Sequence, residues 1–209
     1  MKLVRTVLLA ASLVSLSGVA AASAAPSGTV SAKLAATQDA ERDLWVGHIF
    51  WVREVSRALA NKDSKAADLA EQQVVANAKQ LGAAIEPFYG KAAGDQLFKL
   101  LAGHYTAIKA HATATVAGDA AAAKTAIGQL TSNANEIAAF LSKANPNWPE
   151  ATLKTLLAAH GGHHVQQNQQ FAAHDLAAEA RTWEAMKTHV YSIADALAGG
   201  IAKQFPDKF

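Results

Sequence analysis

The chain has 209 residues, with 19 lysines and arginines against 17 aspartates and glutamates, and it contains no cysteine. The missing thiols exclude a disulfide framework, thiolate metal ligands, c-type haem attachment and a cysteine nucleophile. A charge balance this even, with no basic stripe, excludes the phosphate-neutralising surface on which nucleic-acid binding depends.

The chain opens with MKLVR, runs through the apolar TVLLAASLVSLSGVAA and reaches Ala22-Ser23-Ala24. A basic start, an apolar stretch and a small-x-small site in that order predict a secretory signal peptide over 1–24, with export to the periplasm or beyond. The apolar run is shorter than the roughly 20 residues of a bilayer span, so stable membrane insertion after cleavage is not expected. Loss of Lys2 and Arg5 would leave 17 basic residues against 17 acidic ones, a net charge of zero. Residues 25–38 (APSGTVSAKLAATQ) are small, polar and aperiodic and are expected to form a flexible leader.

From residue 39 the chain is rich in alanine and poor in β-branched residues. Apolar positions recur at three and four, as in Leu44, Val52, Val55 and Leu59, or Leu97, Leu101, Tyr105 and Ile108. This period predicts helices. Breaks at Asn61-Lys62-Asp63, Pro87 to Gly94, Gly118-Asp119, Asn145 to Pro149 and His174-Asp175 divide them into 39–60, 64–86, 95–117, 120–143, 149–173 and 176–203. Asp63, Asp95, Asp119 and Asp175 stand where N-cap carboxylates would start new helices. The expected fold is all-α: a single domain over 39–209, an up-down six-helix bundle of three antiparallel hairpins.

The hairpins carry an internal repeat of about 56 residues. His48, His104 and His160 share that spacing, as do Asp63, Asp119 and Asp175, and Leu44, Leu100 and Leu156. Asn77 and Asn133 share it too, and the third copy places His189 there. His48 lies about 14 residues before the Lys62-Asp63 bend and Asn77 about 14 after it. At 1.5 Å per residue both sit ~21 Å from the bend, at one height on facing helices. The same holds for His104 with Asn133 and for His160 with His189. Each of the three histidines also falls on the apolar face of its helix.

Polar groups buried without partners cost on the order of 1–3 kcal/mol each, so the layer must be satisfied in one of two ways. His–Asn and His–His hydrogen bonds can fix helix register, as single buried polar residues do in coiled coils. Alternatively the imidazoles converge on a transition metal such as Zn, Cu, Ni or Fe, or on a small ligand, with Asn77, Asn133 and His189 as further binding residues. His164, one turn beyond His160 and on the same face, would join His48, His104 and His160 as a ligand. His-x3-His is the spacing of helical zinc sites, but no glutamate follows His160 as a zinc-protease motif requires. Three hairpins around one axis would bring the histidines together. An open solenoid would hold them about 10 Å apart. His163 reads as peripheral, His111 and His174 as surface or turn residues, the tryptophans as core, and Arg53-Glu54 as an ion pair of little weight.

The segment Leu44-Trp45-x-x-His48-x-x-Trp51-x-Arg53 resembles an uncharacterised group of secreted bacterial all-helical proteins. Phe88-Tyr89-Gly90, Gly103-His104, Asn145-Pro146-x-Trp148 and the ending Gln204-Phe205-Pro206 extend the resemblance over most of 44–209. It implies a compact helical fold and shared histidines, and it brings no activity with it. The residues themselves favour an exported, non-enzymatic protein binding a metal ion or small ligand. A structural or stress-related interaction protein is the alternative. A metal-dependent hydrolase stands third, because no general base accompanies the histidines.

Overall fold

The computed structural model describes residues 31–209. The signal peptide expected over 1–24, and the leader as far as residue 30, lie outside that range. The helices are α1 (Ala32–Ala60), α2 (Ser64–Tyr89), α3 (Lys91–Ala117), α4 (Ala120–Ala144), α5 (Glu150–Ala172) and α6 (Leu176–Gln204), followed by a short 3-10 turn at Pro206–Lys208. No strand occurs among the described residues. No described helix is long and apolar enough to cross a membrane.

Two boundaries differ from expectation. Residues 32–38, read as part of a flexible leader, form the first two turns of α1, because Ser31 caps them by accepting the Leu34 amide at 3.0 Å. α2 runs through Pro87 to Tyr89, and α3 follows after the single residue Gly90, whose φ of 81° favours glycine. Asp95 is therefore no N-cap. It sits in the first turns of α3 and pairs with Lys91 on the surface. So tight a connection is possible because α2 and α3 touch at glycines. A Cβ on Gly82 would stand 2.7 Å from the Gly94 carbonyl oxygen.

The three hairpin bends are built alike. Lys62, Gly118 and His174 all take positive φ, at 57°, 72° and 55°. The following Asp63, Asp119 and Asp175 accept the amides of Ala66, Ala122 and Ala178. Within each hairpin one side chain crosses to the same backbone oxygen. Asn77 Nδ2 donates to Leu44 O at 2.9 Å, Asn133 Nδ2 to Leu100 O at 3.0 Å, and His189 Nε2 to Leu156 O at 2.9 Å. Gly47 and Gly103 make room for the two asparagines, since a Cβ there would lie 3.1 Å from the amide nitrogen.

The bundle is closed. α1 packs on α2 and also on α6, α3 lies between α2 and α4, and α5 between α4 and α6. The odd helices also touch one another, so α1, α3 and α5 form the centre and the even helices the flanks. An open solenoid would leave the first and last helices apart. Here Arg42 of α1 holds Asp195 of α6 through two bonds of 2.8 Å.

A second bridge closes the same seam from deeper inside. The Arg53 guanidinium donates twice to Glu179, at 2.6 and 2.5 Å, and Gln167 Nε2 donates to the same carboxylate at 2.9 Å. Glu54, the partner expected for Arg53, makes only a looser contact at 3.5 Å. Glu179 is 1 % exposed, so losing the guanidinium would strand a buried charge. Arg53→Ala is expected to lower stability by about 3–5 kcal/mol, read from urea midpoints, and Glu54→Ala by well under 1 kcal/mol.

Candidate metal centre

His48, His104 and His160 enter the centre from α1, α3 and α5. Each stands mid-helix on the face that meets the other two odd helices, and His164 follows one turn later on α5. All four are 1–2 % exposed. The His160 ring lies 5.6 Å from His48, 5.5 Å from His104 in a stacked arrangement, and 4.7 Å from His164, edge on. One ring nitrogen from each residue can be chosen so that all four lie within 4.8 Å of one another. Tetrahedral zinc with Zn–N bonds of about 2.0–2.1 Å needs nitrogens roughly 3.4 Å apart, so small rotamer shifts suffice. The four imidazoles can hold one metal ion.

Their protonation state suits that role. Burial pushes His48 down to about 3, with His104 beside it adding to the effect. Burial likewise pushes His104 down to about 4, opposed by its bond to Asn133. His160 and His164 fall well below the ordinary imidazole value, first through burial and then through the neighbouring rings. The cluster is neutral at physiological pH, with lone pairs available.

Few of those nitrogens are used by the protein. Both nitrogens of His48, both of His160, and Nε2 of His104 and His164 are buried without a hydrogen-bond partner. The exception is informative. His104 Nδ1 lies 3.2 Å from Asn133 Oδ1, while Asn133 Nδ2 donates to Leu100 O. The amide is thus oriented with its oxygen toward the ring, so His104 donates from Nδ1 and keeps its lone pair on Nε2. Fixing the tautomer of a ligating imidazole in this way typically contributes 10–100-fold in metal affinity. Asn133→Ala is expected to weaken binding by about that factor while the ion still binds, measured by competition with a chromophoric chelator.

The expected polar layer is therefore divided. Asn133 touches the cluster. Asn77 and His189 bond to backbone carbonyls, and the His189 ring neighbours His163 at 5.6 Å, at the periphery. Below the cluster lies a polar network that was not expected. His111, read as a surface residue, is 1 % exposed, and Asn168 Nδ2 donates to its Nδ1 at 3.0 Å. The reason is its register: one 56-residue step back is buried Val55 and one step forward is buried Gln167. His174 does occupy a turn, and Trp45 and Trp148 are core.

Above the cluster the same columns continue with Trp45, Leu101 and Leu157, then Glu41, Leu97 and Leu153, around a cavity of about 40 Å³. Glu41 is 7 % exposed, and burial raises its carboxyl to about 7 against the opposing influence of the Trp45 N–H. The ring nitrogen is nevertheless not in hydrogen-bonding geometry. The sequence held a signal for Glu41, since Leu97 and Leu153 stand at the same offset. No protein-family model, curated protein or solved structure matches this chain.

Proposed function

We propose that this is an exported, non-enzymatic binding protein whose four-histidine cluster takes one transition-metal ion, with Zn, Cu, Ni and Fe as the candidates. The observation that carries this reading is the convergence of four neutral, buried imidazoles that offer nitrogens within 4.8 Å. Six ring nitrogens of the cluster have no partner in the protein, and a purely structural layer would have been expected to satisfy them. Imidazole without thiolate or carboxylate suits the later first-row metals. The order of residues 1–24 supports export, and the near-neutral charge argues against nucleic acid as a partner.

The register role is carried by different residues. The three crossings from Asn77, Asn133 and His189 to Leu44, Leu100 and Leu156 recur at one offset and favour a triplicated hairpin as the origin of the fold.

The test is a titration of untagged, metal-free protein with Zn(II), and with Co(II) as an optical probe. One ion per chain is expected, with the intense visible bands of low-coordinate cobalt. His48→Ala with His160→Ala should abolish them in a chain that still shows full helical circular dichroism. Stoichiometric binding that survives the double substitution would place the ion elsewhere and defeat the reading.

A further inference from the structure

The cavity above the cluster lies on the central axis, and three of the histidines are part of its wall. His48, His104 and His160 line it; His164 does not. Three ligands therefore surround the axis, the fourth caps them from below, and the remaining face of a bound ion looks into the chamber. Four-coordinate sites can expand to a fifth ligand, as catalytic zinc sites sometimes do, and of the candidate ions Fe and Cu are the ones that bind neutral diatomics.

The chamber walls are hydrocarbon apart from these rings, Glu41, Trp45 and Trp148, and the Trp148 N–H is already bonded to Ala196 O at 3.2 Å. At the 56-residue offset Trp45 corresponds to Leu101 and Leu157, and Glu41 to Leu97 and Leu153, so α1 alone departs from leucine. Trp45 Nε1 is a buried donor without a partner. No lysine or arginine lines the space to hold an anion. Size narrows the occupant further. A single water needs about 10–15 Å³ on this measure, so 40 Å³ has room for roughly three or four water-sized atoms, enough for a diatomic and little more.

We propose that the chamber receives a neutral diatomic ligand, of the class of dioxygen, nitric oxide and carbon monoxide, which coordinates the ion on the face opposite His164. This inference rests on the metal reading above. Apolar walls favour a ligand that sheds little hydration on entry. A donor such as the Trp45 N–H is what tunes a bound diatomic in other metal pockets.

Two experiments on the full-length protein separate the pocket from the metal. In metal-free protein, xenon under pressure should occupy the chamber in crystals and shift in 129Xe NMR, since dry apolar cavities take it up. Leu157→Phe, or Leu101→Phe should the first variant fail to fold, should remove the xenon and leave metal affinity within about threefold of wild type. In Cu(I)-loaded protein, carbon monoxide should form a single adduct with one infrared stretching band. Trp45→Phe should move that band by several wavenumbers without abolishing it, and Leu157→Phe should abolish it. An ion that binds without any carbonyl band, or a Co(II) form that takes azide in the chamber in preference to nitric oxide, overturns the proposal and leaves the metal site standing. Failure to bind an ion overturns both, whatever xenon shows.

Discussion

Replacing His160 by leucine is expected to stabilise the metal-free protein and to erase the stabilisation that a metal ion gives the wild type. Both ring nitrogens of His160 are buried without partners, and each orphaned polar group costs on the order of 1–3 kcal/mol. Leucine is of similar bulk and removes that cost, so the metal-free variant should melt several degrees higher. The wild type with ion at about a thousand times Kd gains roughly 4 kcal/mol by mass action. For a domain of this size each kcal/mol moves Tm by roughly 2–4 °C, so a rise of about 8–16 °C is expected. Calorimetry with and without Zn(II) reads both effects. Should His160→Leu destabilise the metal-free chain and the ion shift both proteins equally, the ring would be a packing element and the ion would bind outside the cluster.

The opposite signs of the two effects follow from one arrangement. A buried cluster of neutral imidazoles is a liability to the folded chain and an asset to a ligand. The fold tolerates it because the odd helices are held by other means: Arg42 with Asp195, Arg53 with Glu179, and the asparagine and histidine crossings within each hairpin. The apolar sets around Ile49, Met186 and Val190 do the rest.

Much of this was legible in the residues. Period fixed the six helices, and the offset shared by His48, His104 and His160 picked out the cluster, because inner positions of repeated hairpins must meet if the hairpins close. Closure itself was not legible. It depends on α1 meeting α6 through Arg42 with Asp195 and Arg53 with Glu179, pairs 153 and 126 residues apart that no local pattern announces. Glu54 does pair with Arg53, loosely, at 3.5 Å, but the tighter partner is the distant Glu179, since adjacent helical residues do not face one another. Glu41 and His111 were passed over for a different reason. A lone polar residue looks like surface until its repeat equivalents, Leu97 and Leu153 for one and Val55 and Gln167 for the other, place it in a buried column. The start of α1 was missed because the seven residues AKLAATQ show no period, and their helix depends on the Ser31 cap.

Mild acid is expected to unfold the metal-free protein with unusual steepness. An unfolded chain protonates histidine near pH 6.5. The folded cluster does not, since burial holds His48 at about 3 and His104 at about 4, and keeps His160 and His164 well below their ordinary value. Above about pH 6.5 neither state binds these protons and they leave stability unchanged. Below it only the unfolded state takes them up, so stability falls with pH, by about 1.4 kcal/mol per unit for each ring and about 5 for the four. Glu41 acts in the opposite sense. Its carboxyl is raised from 4.5 to about 7, so between those values the folded state holds the extra proton and gains stability as pH falls. One such group offsets one of the four rings, leaving a net slope of about 4 kcal/mol per unit. A domain with 5–15 kcal/mol of stability therefore loses it within roughly one to four units below neutrality. Urea midpoints between pH 7.5 and 5 measure the slope, and His48→Leu should reduce it by one proton's worth. A bound ion should push the transition to lower pH, because it holds the same lone pairs that protons would take. A slope near one proton or less would mean that the rings ionise within the folded chain, and a cluster able to do that is neither dry nor closed.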